Sequence, residues 1–360
     1  MRWIATTLSM ALLAGTASAQ LTEPVPLAAE ALALNLRFDG KMTTGAKLEP
    51  SLRPLVRLAL NDWATVAARL QFDVTIPKTA DALIIGRAPE DMLIEAAQWV
   101  DKTAALFEGL KAGGGEDARP PRAIVVALFD DAGFKSEAWP GLLDTLVARK
   151  ELLAPFADKM KRDPGSFTAR NASFFAQHTF DMAGNAAGGD DEYRLANEVI
   201  HKTAQYLVEA RFGRQPDVVR WGLGYVAEQR LRGNIYQFNT SGFVAQDDHF
   251  GWPEKTRTTL ATRVKSDSFS LTDTILRTSA AGTPAFGQQV AWALLDYEIT
   301  KEPQKLASLL GELGALDREA DPRRLSLEYR GDEQGMRTAC EATWNEVKSS
   351  ALLAHLKKLK

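Results

Sequence analysis

Residues 197–213 read NEVIHKTAQYLVEARFG, and residues 215–231 follow as QPDVVRWGLGYVAEQRL. The two stretches read as a helix pair, the first of which carries His201. Asp190 and Asp191 lie where they can cap and charge-match the start of the first helix. What lies on either side sets the class of fold. Upstream, ADALIIGRA (80–88) reads as a short buried strand and RAIVVALFDD (122–131) as a central one, because a continuous apolar run suits a strand covered on both faces. EALALNLRFDGKM (30–42) mixes alternation with Leu and Phe and reads as a strand start. SLRPLVRLALNDWATVAARL (51–70), PEDMLIEAAQWVDKTAALFEGL (89–110) and WPGLLDTLVARKELLAPFADKM (139–160) carry helical periodicity, and NASFFAQHTFDMAGNAAGGDD (171–191) reads as strand, turn and loop. Downstream, residues 282–300, 302–316 and 332–359 are helical. The expectation is an α+β chain with an N-terminal α/β region over 20–189 that includes the sheet and a mainly helical region over 190–360.

The chain opens MRWIATTLSMALLAGTASAQ. One Arg, a short apolar run and Ala17-Ser18-Ala19 have the form of a secretory signal peptide over residues 1–19. The run is shorter than the ~20 residues that span a bilayer, and no later run is long enough. The expected location is therefore outside the cytoplasm, in a bacterial periplasm or secreted. A formal net charge of -3 over 360 residues argues against a nucleic-acid binder, which normally carries a basic patch. Cys340 is the single cysteine, so no intrachain disulfide forms and the fold rests on its core. With 45% hydrophobic residues and eight Trp, that core can be large.

The chemistry of the helix pair turns on the pentapeptide His201-Lys202-Thr203-Ala204-Gln205. A zinc site of the HExxH type needs two imidazoles one turn apart, a Glu beside the first to take a proton from bound water, and a third ligand from the next helix. Here Gln205 offers only a neutral amide in place of the second imidazole. Lys202 puts an ammonium where the base would stand, and it cannot accept a proton. Trp221 has no lone pair for a metal. One of four roles survives, at His201.

The frame nevertheless resembles the gluzincin peptidases of the peptidase MA-like kind, in which a second helix carries a pattern like P-x-W-L-x-E-G-L-A-x-Y-x-E. Pro216, Gly222-Leu223 and Glu228 line up with that pattern, Gly224 replaces its small Ala, and Trp221 stands at its third-ligand position. FGQQVAWALLDYEIT (286–300) and CEATWNEVKSSALLAHLKK (340–358) are similar to later helices of such proteins. The resemblance, over about residues 120–357, implies a zincin-like, thermolysin-type fold with a small mixed sheet and a helical lobe. It also implies that His201, Lys202, Gln205 and Trp221 are degenerate zinc-site positions. No cofactor and no metal are expected. On this reading Trp221 fills the former site as core, and Gly222 and Gly224 give close helix contact or clearance for a bulky neighbour such as Trp221.

Other candidates are weaker. Glu198 and His201 make an E-x-x-H pair, but the matching carboxylates of a di-iron bundle are missing. Asp247, Asp248 and His249 read as a solvated acidic turn, His178 as a strand-end residue, and Cys340 as a packed small hydrophobe. There is no G-x-S-x-G, P-loop or dinucleotide fingerprint. Phe250 and Trp252, in HFGWPE, are candidate anchors for a partner on a loop, and the strand over NASFFAQHTFDM is a candidate edge for an extended segment. The leading expectation is an exported, catalytically inactive peptidase-like protein that binds a peptide or protein. The alternatives are an active hydrolase built around His201 joined by His178 or His249 and an acid such as Glu228, and a purely structural envelope protein.

Overall fold

The computed structural model describes residues 25–111, 123–129, 139–148, 150, 152–161, 166–168, 172–178, 194–235, 251–265, 269–276, 285–317, 329 and 331–359. The signal-peptide segment, Asp190, Asp191, the 247–249 turn and Phe250 lie outside these residues.

The chain runs α1 (Ala29–Ala33), β1 (Asn35–Phe38), β2 (Lys41–Thr44), α2 (Gly45–Leu48), α3 (Pro54–Leu70), β3 (Asp73–Ile76), β4 (Ala82–Arg87), α4 (Glu90–Leu106), β5 (Ala123–Phe129), α5 (Trp139–Ala148), α6 (Ala154–Met160), β6 (Ser166–Thr168) and β7 (Ala172–His178). Helices alone follow among the described elements: α7 (Arg194–Phe212), α8 (Asp217–Arg232), α9 (Trp252–Arg263), α10 (Leu271–Leu276), α11 (Ala285–Lys301), α12 (Pro303–Leu316), α13 (Glu333–Trp344) and α14 (Ser349–Leu356). The fold is α+β, with its strands upstream and its second half helical. No described helix is long and apolar enough to cross a membrane.

The sheet is mixed and has seven described strands in the order β2-β1-β3-β4-β5-β7-β6. β4, β5 and β7 are mutually parallel neighbours, with α4 carrying the chain from β4 to β5. The apolar runs of β4 and β5 are explained by burial on both faces. Ala82, Ile84, Ile124, Val126 and Leu128 enter one core with α4 and the C-terminal helices, while Leu83, Ile85, Ala123, Val125 and Ala127 enter a second core with α1, α3 and α5. Each fully buried Ile, Leu or Val contributes about 1.5–3 kcal/mol relative to exposure. The first core runs from the sheet to Leu356, across the boundary placed at residue 189.

Several local elements differ from the sequence reading. Residues 29–33 turn helical before β1 begins. Asp39 and Gly40 have φ of 50° and 73°, the left-handed pair of a two-residue hairpin turn, so the Asp-Gly in RFDGKM closes β1 on β2 with Phe38 opposite Lys41. β3 and β6 were not anticipated. Residues 139–160 and 332–359 each form two helices rather than one. β7, read as a free edge, is paired along its length to β5, and Ser173–Phe175 pair with β6 on the other side. The outermost described strand at this side is therefore β6.

Candidate functional site

α8 packs between α7 and α11, and its two glycines set how closely it approaches each. A Cβ on Gly222 would stand 2.6 Å from Leu295 Cδ1 on α11. One on Gly224 would stand 2.5 Å from His201 Cε1 and 2.6 Å from its Nδ1. These are distances that real Cβ atoms do not tolerate, so the imidazole of α7 lies directly on the α8 backbone. The glycines therefore cost helix propensity, roughly 1 kcal/mol each, in exchange for contact on two sides of α8. The bulky neighbour cleared by Gly224 is His201, not Trp221.

His201 is 3% exposed, and both its ring nitrogens are engaged. Its Nδ1 lies 2.7 Å from Glu228 Oε1, and its Nε2 lies 2.7 Å from Gln205 Nε2. A carboxylate accepts and an amide nitrogen donates, so the partners select one tautomer: Nδ1–H donates to Glu228, and the Nε2 lone pair accepts from Gln205. Asn197 completes the cluster. Its Nδ2 donates to Glu228 Oε2 at 2.7 Å and to Asn234 Oδ1 at 3.0 Å, just beyond the C-terminus of α8. Glu228 is fully buried and thus receives donors from two successive turns of α7. The imidazole also meets the Tyr225 ring at 5.1 Å between centroids.

Burial pushes the His201 pKa down from 6.5 to about 3, and the half-buried Lys202 ammonium next to it acts in the same direction. The ring is neutral at physiological pH, which fits its accepting a hydrogen bond at Nε2. Glu198, one turn earlier and 8% exposed, has its pKa raised by burial, with Lys202 and His201 opposing. A second polar tie joins the helices nearer the loop: Arg220 lies 3.8 Å from Glu209 and 2.8 Å from Asp217.

The residues present do not fit a zinc ion. The nitrogen lone pair that a metal would take is held by an amide proton, and the residue supplying that proton stands where a second imidazole would have to be. Among the described residues, no three or more His, Cys, Asp or Glu side chains are grouped to hold a metal. The Nδ1–H to carboxylate bond, by contrast, is the outer-shell arrangement that orients a metal-binding histidine. The support is present, and the open coordinating position is not.

Trp221, expected to fill the site as core, is only half-buried at the margin of the first core. The site is filled instead by Gln205, 2% exposed. Trp252, expected on a loop as a partner anchor, is the first residue of α9 and fully buried. It packs edge-on between Tyr225 at 5.1 Å and Trp292 at 5.9 Å, so it belongs to the core. His178 ends β7. Cys340 is fully buried, and burial pushes its thiol up to about 12, as a packed hydrophobe requires. Sequence reasoning gave no role to Asn197 or Asn234 and left Glu228 as one acid among others. The available signal was an acid on the apolar face of GYVAEQ, two turns after Trp221.

No family model matches the chain, and neither a curated protein nor a solved structure matches it.

Proposed function

We propose that this chain is a zincin-like, gluzincin-type scaffold whose metal centre has been replaced by a hydrogen-bonded core network, and that it works outside the cytoplasm as a non-catalytic module binding a peptide or protein. The observation that carries this reading is the bond from the Gln205 amide to His201 Nε2, made while Glu228 holds Nδ1. An oriented histidine whose coordinating lone pair is capped by a neutral amide can neither bind the ion nor release it for catalysis. Lys202 supplies no base at the adjacent position. With Trp252 in the core, the partner segment on this reading pairs instead with β6, the outermost described strand beside β7.

The test is zinc titration of the mature protein, followed by melting temperature and elemental analysis. The wild type should take up well below one equivalent with no thermal shift. The Lys202→Glu, Gln205→His, Trp221→Glu variant should start less stable and regain stability with zinc, because the ion binds only the folded state. Wild-type binding of one zinc that His201→Ala abolishes would overturn the reading. So would His201-dependent cleavage of a peptide captured from the exported fraction.

A further inference from the structure

A cleft of about 420 Å³ opens away from the His201 network, between the last turn of α4, the start of β5 and the C-terminal part of α7. Its floor is apolar, from Leu55, Ile124, Leu207 and Ala210, and its rim carries Asp81, Glu108 and Arg211. The volume falls within the range of small-molecule sites.

The walls are held in place from behind. Asp101 accepts hydrogen bonds from the backbone N–H groups of Lys78, Thr79 and Ala80 at 2.7–2.8 Å, fixing the loop that leads to Asp81. Arg53 takes the carbonyls of Lys78 and Pro77 and bonds Asp81 Oδ1 at 3.0 Å, leaving the second carboxylate oxygen unclaimed among the described residues. Arg211 donates to Phe107 O at 2.7 Å, capping the C-terminal end of α4, a helix with no basic residue in its own last turn. Both carboxylates act on the Arg211 guanidinium electrostatically, yet neither closes an ion pair with it among the described residues. Asp81, held by Arg53, and Arg211, held on the end of α4, thus face one apolar-floored cleft with the exposed Glu108 beside them.

We propose that this cleft binds a small zwitterion, an aliphatic amino acid, with its ammonium between Asp81 and Glu108, its carboxylate at Arg211 and its side chain on the Leu55, Ile124 and Leu207 floor. Arg211 is bonded only to the carbonyls of Phe107 and Leu110 among the described residues, so an amine alone would bring its charge no counter-ion, and a carboxylate alone would face two acids. The inference is independent of the fate of the His201 site.

The experiment is calorimetric and NMR titration of the full mature chain with leucine, with isopentylamine, which lacks the carboxylate, and with isocaproate, which lacks the amine. Leucine should bind about tenfold tighter than either, since a site with fixed polar groups rejects the analogue that leaves one unpaired. Glu108→Gln, on an exposed position, should weaken leucine several-fold, and Ala105→Trp, also exposed, should block the cleft without touching the core. Folding of both variants is checked by circular dichroism. Absent binding, equal affinity for the three probes, or leucine binding unchanged in both variants would each overturn the proposal.

Discussion

Replacing Gln205 by Leu removes one hydrogen-bond donor while nearly conserving side-chain size. Gln205 is 2% exposed and His201 3% exposed, so no water can replace the lost amide proton at Nε2 without opening the helix pair. A buried acceptor left unsatisfied costs about 1–3 kcal/mol, against a net worth near 1 kcal/mol for the bond itself. Gln205→Leu should therefore destabilise by about 1–3 kcal/mol in urea unfolding at neutral pH, with an unchanged m-value. His201→Phe on the same background removes the acceptor too, so part of that cost should disappear. The resulting coupling should be on the order of 0.5–3 kcal/mol in a double-mutant cycle. Nitrogen NMR of labelled imidazole gives an independent reading: Nδ1 should be protonated and Nε2 bare in the wild type. Additive single and double variants, or a ring protonated at Nε2, would refute the tautomer and with it the argument that the coordinating lone pair is occupied.

Gly224→Ala drives a Cβ to within 2.5 Å of the His201 ring and should cost about 1–3 kcal/mol as overpacking, despite the gain in helix propensity, measured by thermal unfolding. Trp252→Ala, at a fully buried position, should cost about 3–5 kcal/mol and lower the melting temperature sharply, where a surface anchor would leave stability unchanged. The depressed pKa of His201, 6.5 falling to about 3, means that only the unfolded chain binds this proton between those values; its contribution is intact above pH 6.5 and declines by up to about 5 kcal/mol as pH falls toward 3, a slope that His201→Phe should remove. Glu298 on α11 has the opposite sign: burial raises its pKa from 4.5 to about 7, so its share of stability is intact below pH 4.5 and about 3 kcal/mol is lost as pH rises through 7. Glu298→Gln should flatten the urea-unfolding profile across that window, whatever constant offset the amide brings.

Much of the α+β plan could be read from local pattern because two kinds of signal survive without tertiary context. Continuous apolar runs gave β4 and β5, whose two-faced burial leaves no polar alternation to misread. Long amphipathic repeats gave α3 and α4. The elements that escaped are short or paired from a distance. β3, DVTI, is four residues whose identity as a strand depends on β1 and β4 lying on either side. β6 is three residues defined only by β7. The edge role assigned to β7 failed for the same reason, since an edge is a property of the neighbours and not of the strand.

At the site, the helical repeat showed that His201 and Gln205 share a face, because residues four apart on one helix must. Nothing in one helix states which residue of the next will meet them. Trp221, Gly224, Tyr225 and Glu228 lie at i, i+3, i+4 and i+7 along α8, and motif spacing drew attention to the first of them as a ligand position. The contacts of His201 are with the others: the glycine that admits the ring, the tyrosine that lies against it and the carboxylate that takes its proton. Trp221 stands half-buried at the margin, whereas the bare Nε2 of the buried imidazole needs a donor where water is excluded. That task needs a donor one turn away on the same helix, and Gln205 is placed to perform it. What looks in the sequence like a missing ligand is, in the packed helix pair, the donor that lets His201 be buried with both ring nitrogens satisfied.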